Sequence, residues 1–193
     1  MKLQDLVNEH INGFSKTNNF QVKGTEFSNE SIIIANSNPP LPFKYPGFTY
    51  ASFKNVSLIN IKFIDANFTS SYFKECVLED CIFNNIDFTS VEFEQCDLKN
   101  CLFINCEFQD SDFRNITFNK CQFQITDQGK GNSSFAFFES CHFIEPVFHG
   151  YEKSMSLRIS LIDLQLSNAD RTVKFTNDLK LNDLLDYINN QVS

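Results

Sequence analysis

Seven cysteines and three histidines are the side chains of this 193-residue chain that could hold a metal, carry redox chemistry or act as nucleophiles. Cys76, Cys81, Cys96, Cys101, Cys106, Cys121 and Cys141 would ordinarily suggest disulfides or zinc. Each of them, however, lies two residues before a Phe or Leu. The same slot elsewhere holds Ala51, Val56, Ile61, Ala66, Ser71, Ile86, Val91, Ser111, Ile116 and Ala136, so it selects small or medium, mostly apolar side chains, and a reduced cysteine is one. The histidines are His10, His142 and His149. His142 falls in an outward slot and Cys141 in an inward one, which separates the only adjacent Cys–His pair. A metal site on His142 and His149 lacks further ligands. Gly129-Lys130-Gly131 is only a fragment of a phosphate-binding loop, without the full glycine–lysine pattern or a following helix. The residues thus point to no catalytic constellation, no metal and no cofactor.

These slots belong to a frame that runs through the middle of the chain. Every fifth residue from Phe48 to Phe123 is Phe or Leu, sixteen positions in succession. Two residues earlier the chain is small and apolar, and the remaining three positions of each unit are mostly polar. A strict period of five fits neither an α-helix nor a flat strand. The units Ala66-Asn-Phe-Thr-Ser, Cys96-Asp-Leu-Lys-Asn and Ser111-Asp-Phe-Arg-Asn resemble the pentapeptide repeat family over about residues 48–148. The resemblance implies an all-β solenoid, a right-handed quadrilateral β-helix with four units per coil.

The residues support four units per coil on their own account. Leu58, Leu78 and Leu98 are twenty apart, as are Cys76 and Cys96, and Cys81, Cys101 and Cys121. Like then stacks on like at the ~4.8 Å spacing of neighbouring strands, and five coils give a rod about 24 Å long. Two residues after each central Phe or Leu, Asn and Asp predominate, which suits a tight corner.

The frame lapses after Phe123 and resumes at Phe138, Phe143 and Phe148. Residues 124–134 are either degenerate units kept within the coil or an extruded loop containing Asp127 and Lys130. Cys141 continues the column of Cys121 in the first case and moves to another side in the second. Residues 1–42 read as a non-repeat N-terminal cap with a short helix and an extended stretch, 43–149 as the repeat, and 150–193 as a C-terminal cap ending in a helix. Leu181, Leu184, Leu185 and Ile188 give that helix an apolar face, a candidate homodimer surface.

A net charge of −8 argues against direct nucleic-acid binding. No signal core or apolar run long enough for a membrane is present, so the expectation is a cytoplasmic protein with no membrane partner. Function must then reside on the outward slots. Ile64, Ile82, Leu102 and Ile104 cluster on one side, as a surface for a terminal segment or for a protein partner. Asp87, Glu92, Glu94, Glu107, Asp110 and Asp112 fall on two adjoining sides, as plain solvated acids or as an electronegative stripe. The first expectation is a non-catalytic scaffold for protein–protein interaction with an unidentified partner. The family resemblance adds an alternative, a DNA mimic that binds DNA gyrase or topoisomerase IV and protects against quinolones or toxins.

Overall fold

A computed structural model describes residues 2, 5, 26–28, 31–33, 41–44, 47–126, 136–149, 160–168, 172–175, 183, 184, 186 and 187. Its architecture follows from what happens at the end of each five-residue unit. The residue two after the central Phe or Leu adopts a left-handed conformation in every unit from Phe48 to Phe118 and again after Phe138, Phe143 and Leu161, with φ between 47° and 60° in these eighteen non-glycine residues. That single left-handed residue turns a corner, so no unit can continue as a longer strand. Asn and Asp tolerate this region better than other non-glycine residues, which accounts for their frequency there.

Successive corners wind the chain into an all-β solenoid, and its backbone groups pair with the coils above and below. The Asn55 N–H donates to the Lys74 carbonyl at 2.9 Å, and the Tyr72 N–H to the Ala51 carbonyl at 2.9 Å. Parallel pairing of this kind builds sheets of seven, eight and six short strands on three sides. The fourth side is held by single bridges, Gly47 to Asn67, Asn67 to Asp87 and Asp87 to Glu107.

Inside, each side contributes a column of in-register rings. Phe53, Phe73, Phe93, Phe113 and Phe138 stack at centroid distances of 4.4, 4.4, 5.2 and 4.6 Å. Phe63, Phe83, Phe103, Phe123 and Phe148 stack at 5.0–5.3 Å on another side. Leu58, Leu78 and Leu98 form the second column until Phe118 and Phe143 take it over, stacked at 4.7 Å. Neighbouring columns meet edge to face, as Phe48 and Phe53 do at 5.5 Å, and such contacts add ~0.5–1.5 kcal/mol beyond burial.

All seven cysteines are free and buried in the inward slot two residues before a central ring. Six have their sulfur 3.3–3.6 Å from the carbonyl oxygen 23 residues earlier, for example Cys81 on Leu58 and Cys106 on Phe83. Cys141 instead sits on Phe113, 28 residues earlier. The step from Phe113 to Phe138 is likewise 25 residues rather than twenty. Five residues are therefore added between Gln124 and Ala136, and Cys141 joins the side of Cys76 and Cys96, not that of Cys121. Asp127 and Lys130 lie outside the described residues.

Parallel pairing also extends into both segments set outside the repeat. Glu26–Ser28 and Ser31–Ile33 pair with Ser52–Lys54 and Ser57–Ile59, and the Phe27 ring stacks on Phe53 at 5.2 Å. At the other end Ser160–Ile162 and Leu164–Ser167 add two more parallel strands. Thr172–Phe175 then pairs antiparallel with Leu164–Ser167 and ends that sheet. Helical residues among those described are confined to Asp5, Asp183, Leu184, Asp186 and Tyr187.

The left-handed corners have a measurable consequence. Gln95 holds φ 55° with an exposed side chain. Glycine removes the ~1–2 kcal/mol cost of that conformation and gives back ~0.5–1 kcal/mol in unfolded-state entropy. Gln95→Gly is expected to stabilise the protein by about 0.5–1 kcal/mol in equilibrium urea denaturation. A loss of stability would contradict this account of the corners.

Candidate interaction surface

The outward residues of each side stand in register with those of the coils above and below, so the surface is a set of side-chain columns. On the side of Phe63, Phe83 and Phe103, one column runs Lys62, Ile82, Leu102, Gln122 and Val147. Its neighbour runs Ile64, Asn84, Ile104, Gln124 and His149. Ile82 and Leu102 are thus directly opposite, Ile104 shares the strand of Leu102, and Ile64 lies one coil from Ile82, with Asn84 between Ile64 and Ile104 in their column. All four are half-buried rather than exposed. Polar residues bound the group, and at the adjoining corner Asn105 donates to the Thr126 hydroxyl at 2.9 Å and accepts from the Thr126 N–H at 2.8 Å.

The six expected acids separate by what they touch. Asp87 belongs to a ladder that braces the strandless side. It accepts from the Thr69 hydroxyl at 3.0 Å and caps the Thr89 N–H at 2.9 Å, and Asn67 repeats the cap on Thr69 at 2.9 Å. Glu107 stands over Asp87, and Asp110 receives the Gln109 amide at 3.5 Å. On the next side Glu94 accepts from the Tyr72 hydroxyl and pairs with Lys74 at 3.0 Å. These two hydrogen bonds, Tyr72 first, lower the Glu94 carboxyl below its usual range. Burial, followed by the bond to Glu94, raises Tyr72 to about 12.

Asp112 pairs with Arg114, which also reaches Glu139 at 3.5 Å. Burial nevertheless pushes the Asp112 carboxyl up, helped by Glu92, which lies opposite it. In the Glu94 column the charges alternate, with Lys74 on one side of Glu94 and Arg114 on the other. Exposed pairs of this kind contribute ~0–1 kcal/mol each, so their effect is mainly to balance charge between stacked coils.

Sequence reasoning missed these cations, although a spacing of twenty placed Lys74, Glu94 and Arg114 in one column. It also missed a polar chain at the end of the eight-stranded sheet. There His142 Nε2 lies 2.7 Å from Ser167 Oγ, which lies 2.7 Å from Thr172 Oγ1. No periodicity links these residues, since Thr172 belongs to the antiparallel strand. Leu184, expected on a dimer surface, is 1% exposed and packed in the core of its own chain. Leu181, Leu185 and Ile188 lie outside the described residues.

The buried thiols differ in acidity, and the hydrogen bond with Cys96 lowers Cys76. Burial raises Cys106 and Cys141 to about 12, and it holds Cys101 well above the usual thiol range. No cluster of three His, Cys, Asp or Glu among the described residues could hold a metal ion. No described helix is long and apolar enough to cross a membrane.

A family model described as a pentapeptide repeat region matches residues 47–127. No curated protein matches the chain. Among solved structures, the pentapeptide repeat protein Rfr23 from the cyanobacterium Cyanothece 51142 is 13% identical, with 53% of this chain and 80% of that chain covered at a TM-score of 0.48. HetL, involved in heterocyst differentiation regulation in the cyanobacterium Nostoc sp. strain PCC 7120, is 12% identical, with 85% and 79% covered and a TM-score of 0.36. QnrB1, a plasmid-mediated fluoroquinolone resistance protein, is 13% identical, with 78% and 86% covered and a TM-score of 0.28.

The chain of hydroxyls on His142 has a pH signature. Burial first, and then the charge of Lys174, lower the folded-state pKa of His142. The unfolded chain takes up a proton near pH 6.5 that the folded chain resists, so stability is lost as pH falls below that value. Between about pH 7.5 and about pH 5.5, the stability of wild type is expected to fall relative to that of His142→Gln. A difference that stays constant with pH in urea titrations would show that His142 does not carry this effect.

Proposed function

We propose that this pentapeptide-repeat protein is a non-catalytic scaffold that binds a protein partner in the cytoplasm. The observation that carries the reading is the apolar group of Ile64, Ile82, Leu102 and Ile104, set in register on one side of the solenoid and bounded by polar residues. A parallel β-face is rigid, so such a group meets a partner with little ordering cost. The cysteines are buried in the inward slots, which leaves the outward columns to make contacts and supports a binding role. Affinity capture from the source cells with wild type and with folded Ile82→Lys/Leu102→Lys tests this. The expected result is a partner retained by wild type and depleted at least about tenfold by the double variant, since central apolar contacts dominate interfaces. Equal capture by both proteins, or no specific capture by wild type, would overturn it.

A second reading, a DNA mimic acting on a type II topoisomerase, draws support from two in-register acid pairs on adjoining sides, Asp87 with Glu107 and Glu92 with Asp112. Lys74 and Arg114 limit how far such a surface extends. This reading expects the purified protein to inhibit DNA gyrase supercoiling or to relieve its inhibition by a quinolone. Supercoiling unchanged with and without the drug, across a wide range of protein concentrations, would remove it.

A further inference from the structure

The eight-stranded sheet ends on the antiparallel strand Thr172–Phe175, and the hydrogen bonds beside it fix which backbone groups that strand leaves open. In the preceding strand the Gln165 N–H donates to the Cys141 carbonyl at 2.8 Å, and the Ser167 carbonyl accepts from the Glu145 N–H at 2.8 Å. Backbone groups alternate sides along a strand, so those of Leu164 and Leu166 face Thr172–Phe175 instead. Their opposite residues are Phe175 and Val173, which makes these two the hydrogen-bonded pairs. The N–H and C=O groups of Thr172 and Lys174 therefore point out along the edge of the sheet, and no described strand pairs with them.

The side chains along this edge alternate in chemistry as well as in direction. Thr172 and Lys174 are exposed on the outer face, where the Thr172 hydroxyl meets that of Ser167. Val173 and Phe175 lie opposite the buried Leu166 and Leu164, on the inner face, and are half-buried. The Phe175 ring packs against the core, 5.4 Å from Tyr187. Among the described residues Lys174 forms no ion pair. A second copy paired antiparallel on this edge, with Val173 over Val173, would set two Lys174 side chains diagonally across the new pair. Like charges there oppose that pairing, whereas an acid opposite Lys174 is favourable.

From this arrangement we infer that the edge takes up an extended segment of a partner protein as one further antiparallel strand, with the alternation apolar–acidic–apolar. The acidic residue stands opposite Lys174 and exchanges two backbone hydrogen bonds with it, and the residue two further on does the same with Thr172. The apolar residues on either side of the acid fall opposite Phe175 and Val173, on the inner face. Main-chain bonds hold the segment, and Lys174 selects its charge. This edge is separate from the group of Ile82 and Leu102, so either surface can fail its test without the other.

The probe is the peptide acetyl-Val-Glu-Val-Thr-amide, titrated into the full chain and followed through the amide NMR signals of Thr172 and Lys174. Saturable shifts of both signals are expected, with a Kd of about 1 mM. The same peptide N-methylated on its glutamate loses an edge hydrogen bond and is expected to bind at least about tenfold more weakly. Lysine in place of the glutamate should weaken binding about threefold, and Lys174→Glu in the protein should reverse that preference. No shift at about 10 mM peptide, or equal binding of the N-methylated peptide, would overturn the inference. So would a preference for glutamate that survives Lys174→Glu. A rise in mass with protein concentration that broadens the Thr172 and Lys174 signals would overturn it too, by giving the edge to a second copy.

Discussion

The structure depends on one constraint, that each side chain stands directly over its counterpart one coil earlier at the spacing of paired strands. Inside, this constraint is favourable for flat rings, which stack in columns such as Phe53, Phe73 and Phe93 at 4.4 Å. It also explains why cysteine suits the neighbouring slot. A compact side chain leaves room for the rings, and its sulfur reaches a carbonyl of the preceding coil.

Outside, the same stacking brings like charges together unless the column alternates. Lys74, Glu94 and Arg114 alternate in one column, and Glu79 pairs with Lys99 in another. Where it does not alternate, the strain is visible. Glu92 over Asp112 helps push the Asp112 carboxyl up, and one Asp112 oxygen is buried without a hydrogen-bond partner. The strandless side solves its problem differently, with Asn67 and Asp87 capping successive turns and bonding threonines across coils. A surface made this way is flat and nearly rigid, and selectivity has to come from which residues fill the columns.

The repeat was legible because its period is exact in the chain and each slot has a distinct chemistry. The frame from Phe48 to Phe123 placed the core rings, and the leucines at 58, 78 and 98 revealed four units per coil. The apolar cluster of Ile64, Ile82, Leu102 and Ile104 was legible for the same reason. The pairing of Glu94 was not read, although Lys74 and Arg114 stand twenty residues to either side of it in one column.

By itself, the sequence determined the five-residue unit, the inward and outward direction of its side chains and the stacking step of twenty, because these are local periodic properties. Tertiary structure alone decided where that step changes. The distance from Phe27 to Phe53 is 26 residues and that from Phe113 to Phe138 is 25, and only pairing between coils reveals how the extra residues are absorbed. It also decided that strands Ser160–Ile162 and Leu164–Ser167 continue the ladders and that Thr172–Phe175 reverses against them. The contacts made there, His142 with Ser167 and Ser167 with Thr172, join residues with no common period. Their proximity comes from the reversal of the chain, which no local pattern encodes.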